Sequence, residues 1–153
     1  MRLKKLGIGV LAVAAIVATT LIVKRLLVTD RERVARAVGK LARYLEKRDV
    51  ASFCLLLAED YEDSRGHTRA SLRSQLTQGL AYFESITVAV QDLNIEVRGD
   101  EAQADFLAVS AAKGRGVTRP WHWETRVRLI FVRRGREWRI VRADYSLPGR
   151  VNF

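Results

Sequence analysis

The segment AEDYEDS places four carboxylates, Glu59, Asp60, Glu62 and Asp63, within seven residues, and a histidine follows at position 67. Read by itself, such a group is expected to be an acidic loop with Asp63 solvated. The chain has one other histidine, His122, and neither histidine belongs to a cluster with metal-ligand spacing. His67 sits in a glycine turn before a helix start and His122 on a strand, where surface or capping roles are expected. The single cysteine, Cys54, lies in the apolar run SFCLLLA. A buried, inert thiol is expected there, and an internal disulfide is excluded. There is no glycine-rich phosphate loop and no Ser/His/Asp arrangement. These residues call for no cofactor and no metal, and they favour a binding protein over an enzyme.

All three tryptophans fall in one stretch, RPWHWETRVRLIFVRRGREWRIVRADYSLP. Trp121, Trp123, Thr125, Val127, Leu129 and Phe131 share one strand parity, while His122, Glu124, Arg126 and Arg128 share the other. Trp138 and Ile140 continue the apolar face after a turn at Arg134-Gly135. The tryptophans are therefore expected to form the wall of a sheet. If that wall encloses a ligand pocket, Trp121, Trp123, Tyr82 and Trp138 are its candidate lining. Arg126, Arg128, Arg133, Arg134, Arg136 and Arg139 form a candidate basic ridge for anionic lipid or an acidic partner. Nucleic acid is not expected, because base stacking needs exposed aromatics among the charges and these alternate to the opposite face.

The whole chain is basic, with 27 Lys and Arg against 17 Asp and Glu, a net charge of +10. Leu6 to Val23 is an uncharged, apolar run of 18 residues between Lys5 and Lys24. As a helix it would span about 27 Å, near the hydrocarbon thickness of a bilayer. A retained anchor over residues 1–28 is expected, with a cleaved signal peptide as the competing reading. The expected location is a single pass through a membrane, of the bacterial inner-membrane kind. Basic residues ahead of the run favour a carboxyl-terminal domain, 29–153, outside the cytoplasm. The partners expected on this basis are membrane lipid, other membrane or envelope proteins, and a second copy of the chain.

Thr29 and Glu32 form a capping box that starts a helix, carried on by Val34, Val38, Leu41 and Leu45. KRDVASFCLLLAEDY suggests a second, buried helix capped by Asp49. A third begins near Arg69, with Leu72, Leu76, Leu80 and Phe83 as its stripe. After Ser85 the period becomes two, with a phase slip at Gln91-Asp92 that predicts a β-bulge. Gly99-Asp100 turns the chain into EAQADFLAVSAA, and the tryptophan hairpin follows. The expected class is α+β: three N-terminal helices packed on a strongly bent antiparallel sheet of about four strands, preceded by one transmembrane helix.

This order, with YLEKRDVASFCLLLAEDYED, GHTRASLRSQL, IEVRGDEAQADFLA and the closing GREWRIVRADYS, resembles the nuclear-transport-factor-two-like superfamily. That group has cystatin-like cones and includes ketosteroid isomerase and polyketide cyclase relatives. The resemblance covers about Asp30 to Leu147. It implies a general-base carboxylate for which Asp63 is the nearest match, and a tyrosine of the oxyanion site roughly at Tyr44. The second acid of that site has no match, so the resemblance implies a fold more firmly than an activity. Two functions follow as expectations. The first is a membrane-anchored binding or scaffold domain that engages protein partners or an anionic membrane surface. The alternative is a tethered small-molecule-binding or isomerase/lyase-like domain with an apolar cone pocket.

Overall fold

The structure, a computed structural model, describes residues 29–146 of the 153. Helix α1, Asp30–Glu46, begins beside the expected Thr29 cap and buries Val34, Ala37, Val38, Leu41 and Ala42. Its arginines and lysines occupy other faces. Helix α2, Val50–Leu55, starts where Asp49 accepts a 3.0 Å hydrogen bond from the Ser52 amide, as its sequence predicts. That cap holds the Asp49 carboxyl below its ordinary value, chiefly through the bond from Ser52.

The next residues correct the sequence expectation. Helix α2 ends at Leu55, and Leu57–Asp63 forms a strand, β1. Its burial does not alternate: Leu57, Ala58, Tyr61 and Asp63 face inward, while Glu59, Asp60 and Glu62 face out. A register shift between Leu57 and Glu62 breaks the period of two, so the strand's signature was absent from the sequence. Nor is α2 buried all round: Cys54 is its buried residue, and Leu55 is 59% exposed. Burial pushes the Cys54 thiol up, as expected of an inert cysteine. Helix α3, Arg69–Leu80, follows β1, so only two of the described helices precede the sheet. Leu72 packs against the core, but no residue of α3 is fully buried.

The remaining strands are β2 (Phe83–Arg98), β3 (Glu101–Gly114), β4 (Trp121–Arg134) and β5 (Glu137–Tyr145). The sheet has five strands in the order β1-β5-β4-β3-β2. It is mixed rather than antiparallel, because β1 runs parallel to β5. The bulge expected at Gln91-Asp92 is present: register shifts between Gln91 and Asn94, and Asp92 takes a positive φ of 53°. Gly99 and Gly135 close the two hairpins with φ of 63° and 65°, a conformation that glycine adopts without a Cβ penalty.

One face of the sheet packs on α1 around Phe131, Ile140, Leu129, Ala104 and Ile95. Trp121, Trp123, Val127 and Tyr145 continue that parity towards the other end of β4. The end of α1 and the turn after it reach the edge strand β2 at two points: Glu46 accepts a 2.9 Å bond from the Val88 amide, and Arg48 donates a 2.7 Å bond to the Phe83 carbonyl. An unpaired edge is a template for strand addition, and side chains here occupy its backbone groups.

Among the described residues no helix is long and apolar enough to cross a membrane. The expectation of a single-pass membrane protein is corrected on that finding. The run Leu6–Val23 from which it was drawn lies outside the described residues.

Trp138 is 6% exposed, belongs to the core, and carries the Arg133 guanidinium 5.6 Å above its ring. Trp138→Ala should destabilise the domain by about 3–5 kcal/mol. Urea denaturation of the variant against the parent measures this. An unchanged midpoint would show that the ring contributes no packing.

Candidate functional site

The loop between β1 and α3 is short and closed on itself. The Asp63 amide donates to the His67 carbonyl at 3.1 Å, and the Gly66 amide donates to the Asp63 carbonyl at 3.0 Å. Gly66 takes a φ of 77° to make the turn, and Thr68 caps α3 through a bond from the Ser71 amide. The Ser64 amide ties the loop to β5 through the Ala143 carbonyl at 2.9 Å.

This loop wraps the carboxylate of Asp63, whose side chain has no exposed surface. Oδ1 accepts from the amides of Arg65 and His67, both at 2.9 Å. Oδ2 lies 2.9 Å from His67 Nδ1 and accepts the Tyr145 hydroxyl at 2.9 Å. Burial pushes the Asp63 carboxyl up, but the bonds from His67, Tyr145 and Arg65 outweigh it and hold the carboxyl below its ordinary value. An ionised carboxylate offers about four lone-pair sites, and here four donors fill them. Asp63 is therefore a poor general base, which modifies the role the resemblance implied.

What the carboxylate does is orient His67. An ionised Oδ2 can only accept, so Nδ1 carries the proton and Nε2 of the neutral ring keeps its lone pair. The His67 side chain is 25% exposed, so this nitrogen belongs to a ring that solvent or a ligand can reach. Tyr145 is held as a neutral hydroxyl: burial, then the bond to Asp63, pushes its phenol up. The Arg65 guanidinium lies 5.4 Å above the Tyr145 ring. Tyr61, two residues before Asp63 on the same strand, is buried, and its phenol is pushed up by burial first and the Asp63 charge second.

The tyrosine bonded to Asp63 is Tyr145; Tyr44, the expected oxyanion tyrosine, lies half-buried on α1. Tyr145 and Asp63 stand 82 residues apart, a pairing that depends on β1 lying beside β5. The available signal was a tyrosine on the inward parity of the last strand, two residues beyond Ala143. Of the expected pocket residues, Tyr82 and Trp121 meet around Phe83, while Trp138 lies apart from them. Trp138 is in the core at the hairpin end of β4 and β5, opposite Arg133. Trp121 and Trp123 lie at the far end of β4; Trp121 is 52% exposed and Tyr82 is 74% exposed. Among the described residues there is no group of His, Cys, Asp and Glu able to hold a metal ion.

A cleft of about 650 Å³ adjoins the loop between β1 and α3, lined by Ser64, Phe106, Val127 and Tyr145 together with the charged Asp105, Arg126 and Arg128. The expected basic ridge lies partly along it but is largely neutralised. Arg128 pairs with Asp105 at 2.7 Å, Arg134 with Asp60 at 3.0 Å, and Arg139 with Glu137. Arg133 falls on the core parity, where it bonds Asp100 as well as Trp138. Arg126 and Arg136 have no ion pair among the described residues. His122 and Glu124 are exposed on β4.

No family model matches the chain, and no curated protein does. Solved structures do. A provisionally named scytalone dehydratase from Novosphingobium aromaticivorans has a TM-score of 0.70 at 15% identity, covering 90% of this chain and 93% of that one. A nuclear-transport-factor-two-like protein with a cystatin-like fold, from the same organism, gives 0.66 at 21%, covering 84% and 88%. A provisionally named aromatic ring hydroxylase from that organism gives 0.69 at 16%, covering 77% and 88%. At these identities the likeness establishes the fold alone: the chain is an α+β protein with a cystatin-like fold.

Asp63→Asn should cost about 1.5–3 kcal/mol at neutral pH, the value of charged hydrogen bonds to a buried partner. The folded carboxyl titrates below its unfolded value of about 3.9, so its contribution is present above that pH. It is lost as pH falls through the lower folded value. Unfolding free energies from pH 7 down to about pH 2 should therefore converge for parent and variant at the acid end. A gap that persists undiminished in acid would mean the charge is not what stabilises the loop.

Proposed function

We propose that the chain binds a small organic molecule and moves a proton on it, in the manner of a lyase or isomerase, with His67 as the general base. The observation that carries this is the 2.9 Å bond from His67 Nδ1 to a buried carboxylate whose other lone pairs are already taken. That arrangement fixes the ring, selects the tautomer and leaves Nε2 as the basic atom. It is the orienting logic used wherever a carboxylate positions a catalytic imidazole. The fold neighbours named as a dehydratase and a hydroxylase support a small-molecule reading over a scaffold.

The chemistry that suits one oriented base is removal of a proton next to a carbonyl. Nε2 takes the proton from the α-carbon as the carbon–carbon double bond forms. In a dehydration the β carbon–oxygen bond breaks, and the imidazolium returns the proton to the departing hydroxyl, which leaves as water. Asp63 remains ionised throughout and stabilises the imidazolium. The half-buried Val127, Phe106 and Trp123 share the Tyr145 face of the sheet and supply an apolar wall for the substrate's carbon skeleton.

Two assays test the reading on a panel of aromatic and cyclic ketones and their β-hydroxy derivatives. Exchange of the α-proton for solvent deuterium is followed by NMR, and loss of water by the absorbance of the conjugated product. His67→Gln should lower either rate by about 10²–10⁴-fold. Tyr145→Phe should have a smaller effect, since it acts through Asp63. Turnover that survives His67→Gln unchanged would remove His67 from the chemistry.

A further inference from the structure

Among the described residues, three large apolar side chains are exposed: Leu55, Tyr82 and Trp121. Two of the three adjoin Phe83. Tyr82 is its chain neighbour, and Trp121 meets its ring edge-on, with centroids 5.9 Å apart and planes at 84°. Trp121 is half exposed yet held in place. A Cβ on Gly114 would lie 3.3 Å from the Trp121 ring, so that glycine gives the indole its seat, and Val117 packs there at similar range. An indole kept rigid with about half its surface in water costs little entropy when another flat ring stacks on it.

Three arginines lie close to these rings in contact or in sequence. Arg48 donates to the Phe83 carbonyl at 2.7 Å, which plants its guanidinium beside the stack with further N–H donors to spare. The Arg115 amide donates to the Tyr82 carbonyl, and Arg119 lies two residues before Trp121. Arg115 and Arg119 are exposed and have no ion pair among the described residues. The basic ridge along β4 and β5 is largely paired with carboxylates, whereas Arg115 and Arg119 are unpaired and close in the chain to the exposed rings.

We propose that this aromatic and basic patch, Tyr82 and Trp121 with Arg48, Arg115 and Arg119, binds single-stranded nucleic acid without reading its sequence. Bases stack on the exposed rings and the arginines take the phosphates, the combination that single-strand binding uses. An acidic peptide would satisfy the arginines, but a rigid, solvent-facing indole selects a partner with flat rings. The patch is separate from the proton-transfer site: Trp121 lies six residues along β4 from Val127, the partner of Tyr145, or about 20 Å. It therefore stands or falls independently of His67.

The test uses the full-length chain and a fluorescein-labelled oligothymidylate of about twelve nucleotides, with anisotropy read at about 50 and about 200 mM salt. Trp121→Ala should weaken binding about tenfold or more, while Trp121→Phe keeps most of it. The double variant R115Q/R119Q should weaken binding and flatten the log–log salt slope by about 1.4, two phosphate contacts' worth. Circular dichroism checks that each variant folds. If Trp121→Ala does not fold, Tyr82→Ala, at a site in open solvent, gives the same decision. Parent-like affinity in the ring variants overturns the proposal. So does displacement of the strand by polyglutamate as effective as by unlabelled oligonucleotide, which would assign the patch to an acidic protein.

Discussion

A buried negative charge organises the centre of this protein. Desolvating a carboxylate is costly unless every lone pair is met. Asp63 meets that demand with donors drawn from its own turn and from the last strand. Because those donors come from separate parts of the chain, the carboxylate fixes three things together. It sets the path of the loop, the tautomer of His67 and the position of Tyr145 against β1. The parallel pairing of β1 with β5 and the bond to Tyr145 support one another, since either lost would leave a charge without its partner.

The parts of the fold legible in the sequence were those with local causes. Asp49 announces a helix start because its side chain can reach an amide three residues on. The bulge at Asp92 announced itself because it reverses the parity of alternation, and the tryptophan parity on β4 was legible for the same reason. The mixed sheet was not legible. In β1 an irregular register hides the period, and its Leu57-Ala58 start prolongs the apolar run of α2. The candidate site was half legible: Asp63 and His67 are neighbours in sequence, but the tyrosine that completes them is set by topology.

Charge shows a similar contrast between composition and geometry. The surplus of arginine in the hairpin suggested one positive surface. In the fold, Asp60, Asp100 and Asp105 come from three other places to meet those arginines, and Glu137 meets Arg139 within the hairpin itself. Exposed pairs of this kind add little to stability, but they neutralise a surface. Net charge is therefore a weak guide to where a basic protein meets its partners. The positions left without carboxylates are more informative, and among the described residues they include Arg115 and Arg119 in the loop before β4 as well as Arg126 and Arg136 in the hairpin.

The separation of Asp63 from Tyr145 also dictates an order of events during synthesis. A ribosome adds about 5–20 residues per second, so the 82 residues between them take roughly 4–16 s to appear. Through that interval the carboxylate has its local amides but not its last donor, and β1 has no strand to lie against. The nascent chain can form α1, α2 and the β2–β3 hairpin, but not the closed sheet. Contacts that join distant parts of a chain also slow folding, because loop closure must precede their reward. This protein therefore completes its fold late, when its final strand slides in beside its first.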